Sequence, residues 1–289
     1  MVDRKIRSLK NDRKWSIESR KGTTKMCGIM GVMLDKRERS AREWRDLRID
    51  ITEVLLCTES RGQDAAGLFM VNGAGIAHYK AGMRAAKLIG QKQYWQLLDR
   101  LSSETTAVVG HTRYATMGKP SVNANNHPLI SGNIVGVHNG MLSNTRELRK
   151  RFPHEAEVDS AAIFAMLDSM TKANPLDVGT MADAMTRLRG NYAVVAADVR
   201  NLGSLFFAKD AERPLVMFYE PERGLLWFAS TAEIIDQGLP EELELVPDVW
   251  FNSATNTVNE ITTENVQNMR EGRAGITVSA GHIRSLPIA

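Results

Sequence analysis

Residues 26–32 read Met-Cys-Gly-Ile-Met-Gly-Val ("MCGIMGV"), and the reading of this stretch decides the fold. Continued to Leu34 it is short, apolar and bounded by charge at Asp35 and Lys36. That pattern predicts a buried strand over residues 27–34. The stretch looks like the beginning of a protein, yet 25 residues precede it. Residues 1–26 hold nine Lys/Arg and three Asp/Glu, a net +6, whereas the remainder holds 28 basic and 31 acidic residues, a net −3. The positive balance of the whole chain therefore belongs to this leader, and the body offers no strong case for nucleic acid. The leader lacks the apolar run of a secretory signal and reads as a solvated, disordered tail. It is expected to be either a propeptide or the product of a start assigned too early. No segment reaches membrane-spanning length, so no membrane partner is expected. Two cysteines, Cys27 and Cys57, do not make a disulfide framework, and a reducing, cytoplasmic setting is the expectation.

Outward from residue 34, Trp44, Leu47, Ile51, Val54 and Leu55 recur at helical spacing, and Cys57 falls on the same apolar side. "SRGQDAAG" breaks that helix at residue 60, and "LFMVNGAGIAHYK" predicts a hairpin turning at Asn72-Gly73. "TAVVGHTRYAT" and "NIVGVHNG" read as buried strands running into polar loops. "NTRELRKRF" reads as a helix capped by Asn144, with Glu147 completing a capping box. Two amphipathic helices follow, in "DSAAIFAMLDSM" and "MADAMTRLRG", and then four strands in succession, "NYAVVAADV", "SLFFAK", "PLVMFY" and "LLWFAS". No repeat or Pro-rich linker divides residues 27–289, which are read as one α+β domain with mostly antiparallel sheets. The last ~40 residues are the least defined by pattern.

Polar residues gather where buried strands end: Cys27; His111, Arg113 and Thr116; His138, Asn139 and Gly140; and Asp159 opening a helix. Cys27 has one particular property. Removal of residues through Met26 gives it a free α-amine, with an ordinary pKa near 8. A neutral α-amine can take the thiol proton, the logic of N-terminal nucleophiles. An Asn side chain followed by a Gly N–H can then receive the tetrahedral oxyanion formed on an amide carbonyl.

"MCGIMGV", "SRGQDAAG", "GHTRYATMGKPSVNANNHPL", "IVGVHNGMLSN" and "DS" stand in the order found in class II glutamine amidotransferases, which are N-terminal-nucleophile hydrolases. The chain resembles the glutaminase domains of amidophosphoribosyltransferase and glucosamine-6-phosphate synthase, most strongly over residues 26–160. The resemblance implies a four-layer αββα sandwich with two antiparallel sheets. It implies that Cys27 attacks the side-chain amide of L-glutamine, releases ammonia and leaves a γ-glutamyl thioester that water hydrolyses. Asn139 and the Gly140 N–H match the oxyanion hole. Arg113 matches the residue that holds the substrate α-carboxylate, Thr116 assists it, and Asp159 matches the partner of the α-ammonium. Arg61 and Asp64 are expected to pair and brace the site, and His127 to orient the surrounding loop. No cofactor and no metal are implied. Ser60, Met117, Val158 and Ala161 depart from residues frequent in these relatives, at the rim of the pocket.

Ammonia made in such a site is normally used by a second domain, and nothing after the strand series reads as one. The expectation is therefore a glutaminase subunit that passes ammonia to a separate synthase. Two other readings compete: an N-terminal-cysteine amidase acting on a different amide, and a non-catalytic module that binds glutamine for regulation.

Overall fold

A computed structural model of the chain describes residues 26–272 and 284–287. The basic segment 1–25 lies outside the described residues, as do 273–283 and 288–289. The stretch that opened the reading forms β1 (Gly28–Leu34), and it sits in the middle of a sheet. It pairs antiparallel with β4 (Thr105–Arg113) on one side and β10 (Leu225–Ala229) on the other. Beyond β4 lie β2 (Ala65–Asn72) and β3 (Gly75–Ala81); beyond β10 lie β9 (Val216–Glu220) and β11 (Val246–Pro247). A second sheet runs in the order β13 (Arg284–Pro287), β12 (Thr257–Thr262), β8 (Asn201–Lys209), β7 (Gly190–Asp198), β6 (Ile134–Leu142), β5 (Leu129–Ser131). The pairings in both sheets are antiparallel.

The inner strands are apolar along their length because both faces are covered, whereas the edge strand β3, with His78 and Lys80, is only partly buried. Within β1, Ile29 and Met33 face the other sheet, in a layer shared with Phe69, Val109, Val137, Val195, Phe207 and Phe228. Met30, Val32 and Leu34 face outward onto α1 (Ala41–Thr58), which contributes Leu47, Ile51, Val54 and Leu55, and onto Ile234 and Ile235 of α7 (Ala232–Gly238). On the far side, Phe206 and Ala208 of β8 face α5 (Ser160–Met170) and α6 (Val178–Thr186), which contribute Phe164, Met181 and Met185. Alternate residues of one strand thus serve different layers, as the period of two requires. The result is the four-layer αββα arrangement that the resemblance implied.

The first helix begins on a capping box: Glu43 N–H donates to Ser40 Oγ and Ser40 N–H donates to the Glu43 carboxylate. The box expected at Asn144 and Glu147 does not form at α4 (Thr145–Arg151). The Asn144 amide instead donates to the Arg187 carbonyl at 2.9 Å and accepts from Arg189 N–H at 3.1 Å. Tertiary backbone partners have displaced the local one. In the last ~40 residues, where the sequence pattern was weakest, β12 and α9 (Thr263–Arg270) supply regular structure. Cys57 is buried in the layer beneath α1, as its place on the apolar side of that helix indicated.

The inter-sheet layer contains aromatic rings in edge contact, Phe207 with Phe228 at 5.1 Å and with Phe251 at 5.9 Å between centroids. Truncating so central a side chain leaves a cavity that the sheets cannot fill. Phe207→Ala is expected to cost about 3–5 kcal/mol of stability, read from urea unfolding with an unchanged m-value.

Candidate active site

Cys27 stands one residue before β1 and beside Arg113 at the end of β4, because Gly28 is in register with Thr112. Its thiol lies against the backbone of Tyr114: the Tyr114 N–H donates to Sγ at 3.3 Å, and Sγ is 3.5 Å from the Tyr114 carbonyl. Arg61 Nε donates to the Cys27 carbonyl at 2.9 Å, and the Arg61 carbonyl accepts the Met26 N–H at 3.2 Å. On the other side, Arg213 Nη1 rests 3.2 Å from the Met26 thioether. The Met26–Cys27 bond is therefore held between two arginines. Burial pushes the Cys27 thiol up to about 11, opposed by the Tyr114 N–H and by the charges of Arg113 and Arg61, and reinforced by Asp159.

Asn139 and Gly140 lie in β6 of the opposite sheet. Gly140 has φ +143°, and a Cβ there would stand 2.0 Å from the Asn191 carbonyl, so only glycine fits. Asn139 is buried, and its Nδ2 donates to Ser230 Oγ at 2.9 Å. That hydroxyl also accepts the N–H of Ile29, at 2.8 Å. The residue expected in the oxyanion hole is thus tied, across the gap between sheets, to the strand that Cys27 begins.

Asp159 combines two roles. Its Oδ1 accepts Ser160 N–H at 2.9 Å and opens α5, while its Oδ2 accepts Leu142 N–H at 2.8 Å, two residues after Gly140. Arg113 is almost wholly buried. Its Nη1 donates to Asn126 Oδ1 at 2.8 Å, and its Nη2 reaches the carbonyls of Gly118, at 2.8 Å, and Met117. Its guanidinium therefore shapes the loop that follows it. Thr116 stands exposed on that loop. Arg61 and Asp64, expected to pair with each other, take separate partners. Asp64 Oδ2 accepts Ala115 N–H at 2.7 Å and its N–H donates to the Arg113 carbonyl, while Arg61 reaches Cys27. Arg61 thus braces the Cys27 backbone, while Asp64 fixes the loop that follows Arg113.

His127 is buried, with its ring stacked on His111 at 4.0 Å between centroids. His138 is the third buried ring: its Nδ1 is 2.7 Å from Ser160 Oγ, whose neighbour is Asp159. Burial lowers the pKa of all three, that of His111 to about 3, so the cluster is neutral at physiological pH. Lys80 fastens the backbone beside His127, donating to the carbonyls of Asn126 at 2.7 Å and Pro128 at 2.8 Å. Sequence reasoning passed over Ser230, Lys80 and Arg213. Ser230 carried a faint signal, a polar residue ending the apolar run "LLWFAS".

Residues 111–237 match the family described as a glutamine amidotransferase domain. Glutamine–fructose-6-phosphate aminotransferase (isomerizing) of Sulfurisphaera tokodaii is 30% identical over 198 residues, covering 66% of this chain and 31% of the relative. The enzyme of the same name from Helicobacter pylori is 27% identical over 249 residues, 84% of this chain and 37% of the relative. The chain spans about a third of the length of these curated relatives. Among solved structures, the glutamine phosphoribosylpyrophosphate amidotransferase of B. subtilis, complexed with ADP and GMP, superposes with a TM-score of 0.62. Identity there is 16%, over 91% of this chain and 49% of that one, so the likeness speaks for the fold. Among the described residues no helix is long and apolar enough to cross a membrane. The sandwich, the sequence relatives and the matched domain agree: this chain carries a class II glutamine amidotransferase domain of the N-terminal-nucleophile type.

Proposed function

We propose that this domain hydrolyses L-glutamine to glutamate and ammonia with Cys27 as an N-terminal nucleophile, once residues 1–26 are absent, and that a separate synthase subunit takes the ammonia. One observation carries the reading. Cys27, the Asn139–Gly140 pair and the opposite charges of Arg113 and Asp159 converge at one end of the two facing sheets. In the reaction the α-amine of Cys27 accepts the thiol proton, and Sγ bonds to the amide carbon. The oxyanion is held by Asn139 and the Gly140 N–H. Collapse breaks the carbon–nitrogen bond, and the proton held on the amine leaves with ammonia. Water, deprotonated by the same amine, then attacks the thioester, releasing glutamate and restoring the thiol.

Release of ammonia from L-glutamine by protein beginning at Cys27 is the direct test. A protein that holds γ-glutamyl compounds yet never releases ammonia is a binding module. Equal rates on simple amides lacking the α-carboxylate and α-amine would make it a general amidase. The same assay examines Arg113, whose planar fork suits a carboxylate. Arg113→Lys is expected to raise KM for glutamine at least tenfold. The lysine can neither hold the Gly118 carbonyl and Asn126 together nor present a paired contact to substrate. Partner docking has its own support: Met117, after Arg113, and Met141, after Gly140, are 47% and 54% exposed beside the site. Large apolar side chains at a site mouth suit a protein cover. Ammonia formation measured with and without the candidate synthase tests that part.

A further inference from the structure

Ser230 directly follows β10, a strand of the sheet that Cys27 leads into, whereas Asn139 lies in the other sheet. The hydroxyl of Ser230 accepts the Ile29 N–H at 2.8 Å and has a longer contact, 3.3 Å, to the Ile29 carbonyl as a donor. Asn139 places Nδ2 on that hydroxyl, and its Oδ1 is then buried without a partner. The Asn139 amide also lies against His111, whose Nδ1 is buried without a partner too.

The tautomer of His111 follows from its other nitrogen. Nε2 faces the His138 carbonyl at 3.2 Å, and a carbonyl only accepts, so Nε2 carries the proton. A neutral ring protonated at Nε2 leaves Nδ1 as a bare acceptor. Two buried acceptors, Asn139 Oδ1 and His111 Nδ1, therefore stand unsatisfied at one place, and each such group is costly. A half turn of the amide removes both faults. Oδ1 then accepts the Ser230 O–H at a shorter distance than its contact to Ile29, and Nδ2 donates one hydrogen to His111 Nδ1. The second Nδ2 hydrogen is left for the oxyanion. Amide orientation is decided by such a network, and this one has a single fully satisfied solution.

We propose that Ser230 and His111 are positioning residues for the oxyanion hole, fixing from opposite ends which atom of the Asn139 amide meets the developing charge. The inference rests on the glutaminase reading and deepens it. Both contacts also cross between the sheets, Ser230 to Asn139 and His111 to the His138 carbonyl, so they set the span between nucleophile and oxyanion donor. Neither residue touches the substrate in this scheme.

The test is a double-mutant cycle on mature protein, with kcat and KM for glutamine measured for wild type, Ser230→Ala, Asn139→Ala and the double variant. Loss of orientation at the oxyanion donor is expected to lower kcat on the order of 10²-fold in Ser230→Ala while KM changes less than twofold. In the Asn139→Ala background the same change should cost almost nothing, because there is no amide left to orient. Ser230→Thr, which keeps the hydroxyl, should restore most of kcat. An aldehyde analogue of glutamine, which forms a tetrahedral adduct with Cys27, should bind Ser230→Ala correspondingly more weakly, with affinity for the product glutamate unchanged. If Ser230→Ala does not fold, Ser230→Cys carries the same cycle with a weaker donor. Costs of Ser230→Ala and Asn139→Ala that multiply independently would overturn the proposal, as would a change confined to KM. A wild type that releases no ammonia would overturn the glutaminase reading itself, a distinguishable result.

Discussion

Protein that begins at Cys27 is expected to release ammonia from glutamine, and protein that keeps residues 1–26 is expected to release none. In the described chain the Cys27 nitrogen is an amide, and its thiol is pushed up to about 11 by burial. About four pH units below that value roughly one thiol in 10⁴ is ionised, too few for turnover at an ordinary rate. An exposed α-amine changes this, since its ordinary pKa near 8 lets it accept the thiol proton at neutral pH. Activity of the mature form should therefore rise as pH increases through the amine's pKa and then level off. The direction follows from the base having to lose its own proton first. Cys27→Ala should abolish turnover and leave the fold intact, because the residue precedes β1 and contributes no core packing. Intact mass spectrometry of the active species decides the matter. A dominant active form that still carries residues 1–26 would exclude this mechanism.

Asn139→Ala is expected to lower kcat by about 10²–10³, the usual loss for one oxyanion donor. KM for glutamine should move little, because the donor is needed only as charge develops on the carbonyl oxygen. Stability should fall as well, since the Ser230 hydroxyl loses one bond while retaining its bond to Ile29 N–H, and the buried His111 Nδ1 loses the amide beside it. Kinetics at several glutamine concentrations separate the two parameters. A variant with normal kcat and raised KM would place Asn139 in substrate binding instead.

Much of this architecture could be read from residue order. Long apolar runs such as "CGIMGVML" and "NIVGVHNG" are strands because both faces are covered, and polar residues at their ends mark where the sheets open to a site. The same property hides sheet membership. The four strands over residues 190–230 look like one meander, yet β7 and β8 join β6 while β9 and β10 join β1. A run that is apolar on every residue carries no alternation to say which layer it faces. The capping box at Asn144 failed for a related reason, since nothing near residue 144 announces the backbone of Arg187 and Arg189. At the site, Arg113 ends β4 and Cys27 precedes β1, whereas Asn139 and Gly140, read as a strand end, lie within β6, which runs on to Leu142; the support beneath all of them was invisible. Ser230 lies 91 residues from the Asn139 amide it meets, and Asp64 serves Ala115 rather than neighbouring Arg61. Local spacing can nominate a charged side chain; only the fold selects its partner.

The proposed nucleophile, Cys27, leads into a strand of one sheet, and the proposed oxyanion donors, Asn139 and Gly140, lie in the other. The working gap is therefore not machined by polar residues alone. It is gauged by the inert filling between the sheets, Ile29, Val109, Val137, Phe207 and Phe228 among them. Facing sheets pack about 10 Å apart. A settling of about 1 Å is enough to cost on the order of 10² in rate. Hydrocarbon volume in this layer thus acts as a spacer, and catalytic tolerance is inherited from side chains that never meet a substrate.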